Sequence, residues 1–190
     1  MDSRKLATAT LLGVAIAVVK GPFTFPVTDY LIIIEAPVLA LSFLLMGRGG
    51  ATYTGLVNGV LQSAVKVTFF PYDLIFAISY GALVDIFFTF FNIKSEGKVN
   101  TKRLVAALGV ASTVLGVSIA YVFLALNLSS TLGLDLTGYS ETALVEVVYA
   151  PIVVWGVISG ALGGFISARV WERNLRPRFQ PAQPVQPGAS

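Results

Sequence analysis

Apolar residues run along this chain in long stretches, with polar residues gathered in short clusters between them. Read as helices, the stretches are Leu6 to Val19, Tyr30 to Met46, Ala51 to Phe69, Leu74 to Phe91, Leu104 to Leu126 and Leu144 to Val170. All but the first come near the roughly twenty residues that cross a hydrocarbon core of about 30 Å. The pattern predicts an all-α integral membrane protein, a bundle of six transmembrane helices.

Charge then orients the threading. Eleven of the thirteen Lys and Arg residues fall on one side: Arg4, Lys5, Arg48, Lys94, Lys98, Lys102, Arg103, Arg169, Arg173, Arg176 and Arg178. Only Lys20 and Lys66 remain on the other. Cytoplasmic loops carry the excess of basic residues, so both termini are expected inside and the location is a multi-pass place in the cell membrane. The inner connections are the Gly47-Arg48-Gly49-Gly50 turn and the charged loop from Asn92 to Arg103. The outer ones are Gly21 to Pro26, a turn around Pro71 and the polar stretch from Asn127 to Thr142, which together are the candidate lid.

The first stretch has a second reading. A short apolar run after Arg4 and Lys5, with Ala15 and Ala17 spaced as A-x-A, also fits a cleavable signal peptide. At the other end, residues 1–176 read as the membrane domain and 177–190, with Pro177, Pro181, Pro184 and Pro187, as a disordered tail.

Composition narrows the function classes. At 190 residues, 55% hydrophobic, 12% charged and a mean hydropathy of +0.79, the chain has more apolar surface than a soluble core of this size can hide. The sequence pI near 9.3 comes from basic runs beside apolar segments, which suits membrane lipid headgroups and not nucleic acid. Cysteine and histidine are absent, removing thiolate nucleophiles, Cys-ligated metals and the commonest general base. No catalytic residue, metal or cofactor is expected.

Small residues recur every fourth position in four helices: Ala9, Gly13 and Ala17; Ala51, Gly55, Gly59 and Ser63; Ser112, Gly116 and Ala120; Gly156, Gly160, Gly164 and Ala168. Such stripes let helix backbones approach closely in lipid. Internal packing accounts for a stripe, and one of them, on the first helix, is a candidate surface for another protein.

Polar residues within the apolar stretches are costly, on the order of 3 kcal/mol for a central carboxylate, so they face a cavity, a partner charge or a ligand. Glu35 lies in the second helix and Asp85 in the fourth; Asn58, Gln62 and Lys66 share one face of the third. An ion pair between Glu35 and Lys66 is one reading. The other is an acidic, aromatic-lined pocket formed by Glu35, Asn58, Gln62, Tyr80, Asp85, Glu146, Tyr149 and Trp155, suited to a flat, positively charged heterocycle. Pro37 and Pro151 interrupt backbone hydrogen bonding in the second and sixth helices, which is tolerated beside protein or a cavity.

Taken together, the Ala9-x3-Gly13-x3-Ala17 stripe, Glu35-Ala-Pro37, the Met46-Gly-Arg-Gly-Gly turn and Gly81-x3-Asp85 resemble the substrate-binding S component of an energy-coupling factor vitamin transporter. With Ile158-Ser-Gly-Ala-Leu162, the motifs are similar to the thiamine and hydroxymethylpyrimidine branch. The resemblance implies capture of a vitamin or precursor from outside, and partnership with a transmembrane coupling subunit and two cytosolic ATPases. It assigns docking to Ala9, Gly13 and Ala17, with Gly13 departing from the family's Ala. The chain has no G-x4-G-K-[ST] of its own, so energy must come from elsewhere.

Other readings stand beside it: a stand-alone transporter or channel lined by Asn58, Gln62, Lys66 and Asp85, or a non-catalytic assembly protein. An intramembrane aspartyl enzyme would need Glu35 and Asp85 in contact, whereas their expected depths differ by about 10 Å.

Overall fold

The computed structural model describes residues 3–23, 30–66, 70–95, 98–125 and 145–179. Its long helices are α1 (Ser3–Lys20), α2 (Ile32–Met46), α3 (Gly50–Val65), α4 (Tyr72–Phe90), α5 (Thr101–Ala125) and α6 (Ala150–Val170). A π-helical turn, Val145–Tyr149, leads into α6; another, Trp171–Leu175, carries it into the short α7 (Arg176–Phe179). Between α4 and α5, β1 (Lys94–Ser95) pairs antiparallel with β2 (Lys98–Val99), Lys94 opposite Val99. The described fold is otherwise helical.

Three stretches are long and apolar enough to cross a membrane: Tyr72–Phe90, Thr101–Val122 and Ala150–Phe179. Ile32–Met46 is apolar but shorter. α1 has 18 residues and carries Arg4, Lys5 and Lys20, while α3 stops at Val65, four residues before the Phe69 end that hydropathy predicts, with 67–69 outside the described residues. Large apolar side chains face outward on every long helix, including Leu11, Leu56, Phe90, Tyr121, Val154 and Phe165. Contiguous exposed apolar surface of this kind is what lipid covers.

α2 is the hub. It contacts α1, α3, α4, α5 and α6, and those five follow one another around it as α1, α3, α4, α5, α6. This position explains its sequence: apart from Glu35 and Ser42, IIIEAPVLALSFLLM is apolar all round, as a helix that is largely buried must be. Its end is cut sharply. Gly47 and Gly49 both have φ of 85°, a left-handed conformation that glycine adopts without a Cβ penalty, and the Gly47 amide bonds the Phe43 carbonyl at 2.8 Å. α3 therefore starts at once and runs back beside α2.

Close backbone contacts hold the ring together. A Cβ at Gly160 would collide with the Gly109 backbone, so α5 and α6 touch glycine to glycine. Between α3 and α4, Gly81 lies on the Ala51 carbonyl and Gly55 on the Ala77 carbonyl. The stripes on α3 and α6 are thus spent inside the bundle, and on α5 Gly116 faces Ile152. The α1 stripe, to which the resemblance assigns docking, also packs inward in this structure. Ala9 is 0% and Ala17 8% exposed, and a Cβ at Gly13 would sit 2.8 Å from Val57 Cβ. The outward face of α1 is instead Ala7, Leu11, Ala15 and Val18.

The two prolines differ. Pro37 lies inside α2, where Gly163 packs on its ring and the Ser167 hydroxyl donates to its carbonyl at 3.2 Å, so protein surrounds the interruption. Pro151 falls in the first turn of α6, separated from the π turn by Ala150 alone, where the missing proline N–H coincides with the change from π to α hydrogen bonding. Residues 177–179, expected in a disordered tail, are helical in α7; 180–190 lie outside the described residues.

Candidate functional site

A hydrogen-bonded line of polar groups runs through the interior where α1, α2 and α3 meet. Glu35, in the first turn of α2, is 2% exposed. Its Oε2 accepts from Lys20 Nζ at 2.5 Å and its Oε1 from Asn58 Nδ2 at 3.0 Å. Asn58 Oδ1 accepts from Gln62 Nε2 at 2.6 Å, and Lys66 Nζ reaches Gln62 Oε1 at 3.5 Å. The sequence makes this line by placing Asn58, Gln62 and Lys66 four residues apart, so they stack along one face of α3.

Lys20 is the surprise. The charge expected to answer Glu35 was Lys66; the structure brings Lys20, the last residue of α1, onto it. The side chains are 13% and 3% exposed, so the pair is largely out of water. Removing one member of a buried pair leaves the other uncompensated, typically costing about 3–5 kcal/mol. Sequence offered both lysines as the two outer cations; only the packing of α1 on α2 and α3 chooses between them.

Asp73, near the start of α4, lies within electrostatic range of Lys66, Lys20 and Glu35. Its Oδ2 is buried and has no hydrogen-bond partner among the described residues. Tyr80, 0% exposed, is also within electrostatic range of Glu35, and its hydroxyl pairs with Ser112 Oγ at 2.7 Å. The structure thus gathers Glu35, Asn58 and Gln62 directly, adds Lys20, which sequence reasoning did not pair with Glu35, and engages the Tyr80 hydroxyl on Ser112 instead, with Asp73 linked to the centre by charge alone.

Asp85 does not join them. Its Oδ2 accepts from the Thr52 amide at 2.8 Å and from the Thr52 hydroxyl at 2.5 Å, and its Oδ1 from the Ala51 amide at 3.3 Å. It caps the first turn of α3, satisfying amides that no helical carbonyl reaches, and its charge complements the positive end of the helix dipole. The physical reason is the tight glycine turn, which starts α3 at the depth of Asp85. From Thr52 to Asn58 is six residues, about 9 Å along the helix, so the two carboxylates are separately engaged at different depths. A shared-proton pair of these acids does not form.

The remaining predicted residues are scattered. Glu146 is exposed on the π turn and Tyr149 is half-buried at its end. Trp155 packs edge-on against Tyr30, ring centroids 5.4 Å apart, and its indole N–H has no hydrogen-bond partner among the described residues. Of the predicted outer lid, 24–26 and 127–142 lie outside the described residues, while Gly21 to Phe23 and the turn around Pro71 are described.

What can the Glu35 centre do? It offers a desolvated carboxylate, two side-chain amides and the ammonium groups of Lys20 and Lys66, a set with the chemistry to engage charge and hydrogen-bonding groups. Among the described residues no group of His, Cys, Asp and Glu is arranged to hold a metal ion. No family model, curated protein or solved structure matches this chain.

Proposed function

We propose that this protein is a six-span bundle of the cell membrane, both termini cytoplasmic, that captures a small cationic or amine-bearing solute from outside at Glu35. The favoured assignment is the substrate-binding subunit of an energy-coupling factor transporter for a thiamine-like or hydroxymethylpyrimidine-like vitamin or precursor, working with a transmembrane coupling subunit and two cytosolic ATPases. The observation that carries solute binding is the buried, hydrogen-bonded line of Glu35, Asn58 and Gln62 with Lys20 on its carboxylate, an ion pair that the interior of the bundle holds. Such groups are expensive in lipid and are ordinarily retained for a ligand or ion path. The vitamin and its coupling partners rest on the resemblance of the short motifs.

Native mass spectrometry of protein purified in mild detergent, followed by denaturation, tests this reading. Release of a stoichiometric pyrimidine or thiazolium species supports it. An empty protein that also ignores added thiamine and hydroxymethylpyrimidine overturns the ligand assignment. A stand-alone transporter is the second reading, favoured by the burial of Ala9, Gly13 and Ala17, which removes the expected docking stripe from the surface. Uptake into vesicles that contain this chain alone supports that reading against the first.

A further inference from the structure

Both oxygens of Glu35 are occupied in this structure, one by Lys20 and one by Asn58, so a ligand must displace one of them. The two are not equally held. Asn58 is 0% exposed in the interior of α3, and its own Oδ1 is bound by Gln62. Lys20 is the last residue of α1, joined by a flexible four-carbon stem, with its side chain 13% exposed. Lysines at helix ends can swing their ammonium toward the interface without moving the helix.

A displaced Lys20 has somewhere to go. Asp73 feels the charge of Lys66 first and of Lys20 next, and it presents a buried Oδ2 with no hydrogen-bond partner among the described residues, open to a second ammonium. The reverse exchange is unfavourable without a substitute, because Glu35 would be left buried with a single amide donor. Whatever replaces Lys20 must therefore bring a positive charge or a strongly polarised N–H of its own.

Resting on the solute-binding reading above, we propose that Lys20 is a built-in competitor for the ligand: a cationic solute takes its place on Glu35 Oε2 while the Lys20 ammonium transfers to Asp73. The site is thereby selective for cations. Neutral solutes of similar shape cannot release the lysine, and in the absence of ligand Glu35 keeps Lys20 as its counter-charge.

The test uses the full-length protein in mild detergent with thiamine as the cationic probe. Lys20→Met should tighten thiamine binding tenfold or more, and Asp73→Asn should weaken it about tenfold. In the Lys20→Met background the Asp73→Asn effect should vanish, since there is no lysine to receive. Independently of any variant, saturating thiamine should change the rate at which Lys20 of the wild-type protein is acetylated by a water-soluble reagent. Thiamine binding with Lys20→Met unchanged or weaker, or with Lys20 acetylation unaltered, overturns the competitor role and leaves the binding reading intact. Failure of both wild type and Lys20→Met to bind thiamine overturns both. Binding by Lys20→Met alone supports the competitor role in its strongest form.

Discussion

Asp85 of α4 closes the amino end of α3 by accepting both the backbone amide and the hydroxyl of Thr52. A carboxylate that sequence places in a binding pocket is here part of the frame. Its replacement is expected to act on folding. Asp85→Ala leaves the Thr52 and Ala51 amides without their acceptor, a loss of about 1–3 kcal/mol from capping and unsatisfied donors combined. Thermal unfolding in detergent should show the drop, whereas ligand affinity measured well below the transition should change little. A large loss of affinity at unchanged stability would return Asp85 to the site.

The Lys20–Glu35 pair makes an opposite kind of prediction, one about non-additivity. Glu35→Gln strands the Lys20 ammonium in a place that is largely dry, and Lys20→Met strands the carboxylate. Each single change should cost about 3–5 kcal/mol, less whatever the lysine recovers by turning outward. The double variant Lys20→Met/Glu35→Gln should be more stable than the sum of the singles implies, by at least about 1 kcal/mol, because neither charge remains to be buried. Simple additivity in a double-mutant cycle would mean that the two groups do not depend on each other.

How far the sequence leads is clearest in these same residues. Hydropathy marks the long helices because each must bury or expose apolar side chains over many residues, and α2, apolar all round but for Glu35 and Ser42, announces a helix surrounded by others. Boundaries shift where local chemistry intervenes. Asn100, whose Oδ1 accepts the Arg103 amide at 3.2 Å, lets α5 begin at Thr101 and not at Leu104. Partner choice is not legible in the same way. Periodicity says that Gly13 and Gly160 lie on small-residue faces, but only the helix arrangement decides that Gly13 meets Val57 and Gly160 meets Gly109. Lys20 and Lys66 carry the same sequence signal. Their different fates depend on α1 docking beside the start of α2, a relation between segments that no local pattern encodes.

The Gly160–Gly109 contact should be among the least tolerant points in the molecule. Any Cβ at position 160 meets the backbone of α5, which cannot yield as a side-chain tip can. Gly160→Ala is expected to destabilise by about 1–3 kcal/mol as the helices are forced apart, and Gly160→Leu to prevent recovery of folded protein. Gly47→Ala provides the contrast: nothing lies near its Cβ, so its cost should come from the backbone angle alone, φ of 85°, and stay near 1 kcal/mol. Equal losses at the two positions, measured by thermal unfolding, would contradict the packing explanation.

Orientation can be tested directly because the chain contains no cysteine, so any introduced thiol is the only one. With eleven of thirteen basic residues on one side, the proposed topology places the Gly47-Arg48-Gly49 turn in the cytoplasm and the 127–142 stretch outside. A membrane-impermeant maleimide applied to intact cells should label Ser130→Cys at once, and Arg48→Cys only after permeabilisation. Arg48 is exposed in the turn between α2 and α3, so a lack of labelling there in intact cells reports the membrane barrier and not burial within the bundle. The reverse pattern would invert the protein in the membrane. Lys20 and Glu35 would then face the cytoplasm, and the site proposed to capture a solute from outside would be placed to release one.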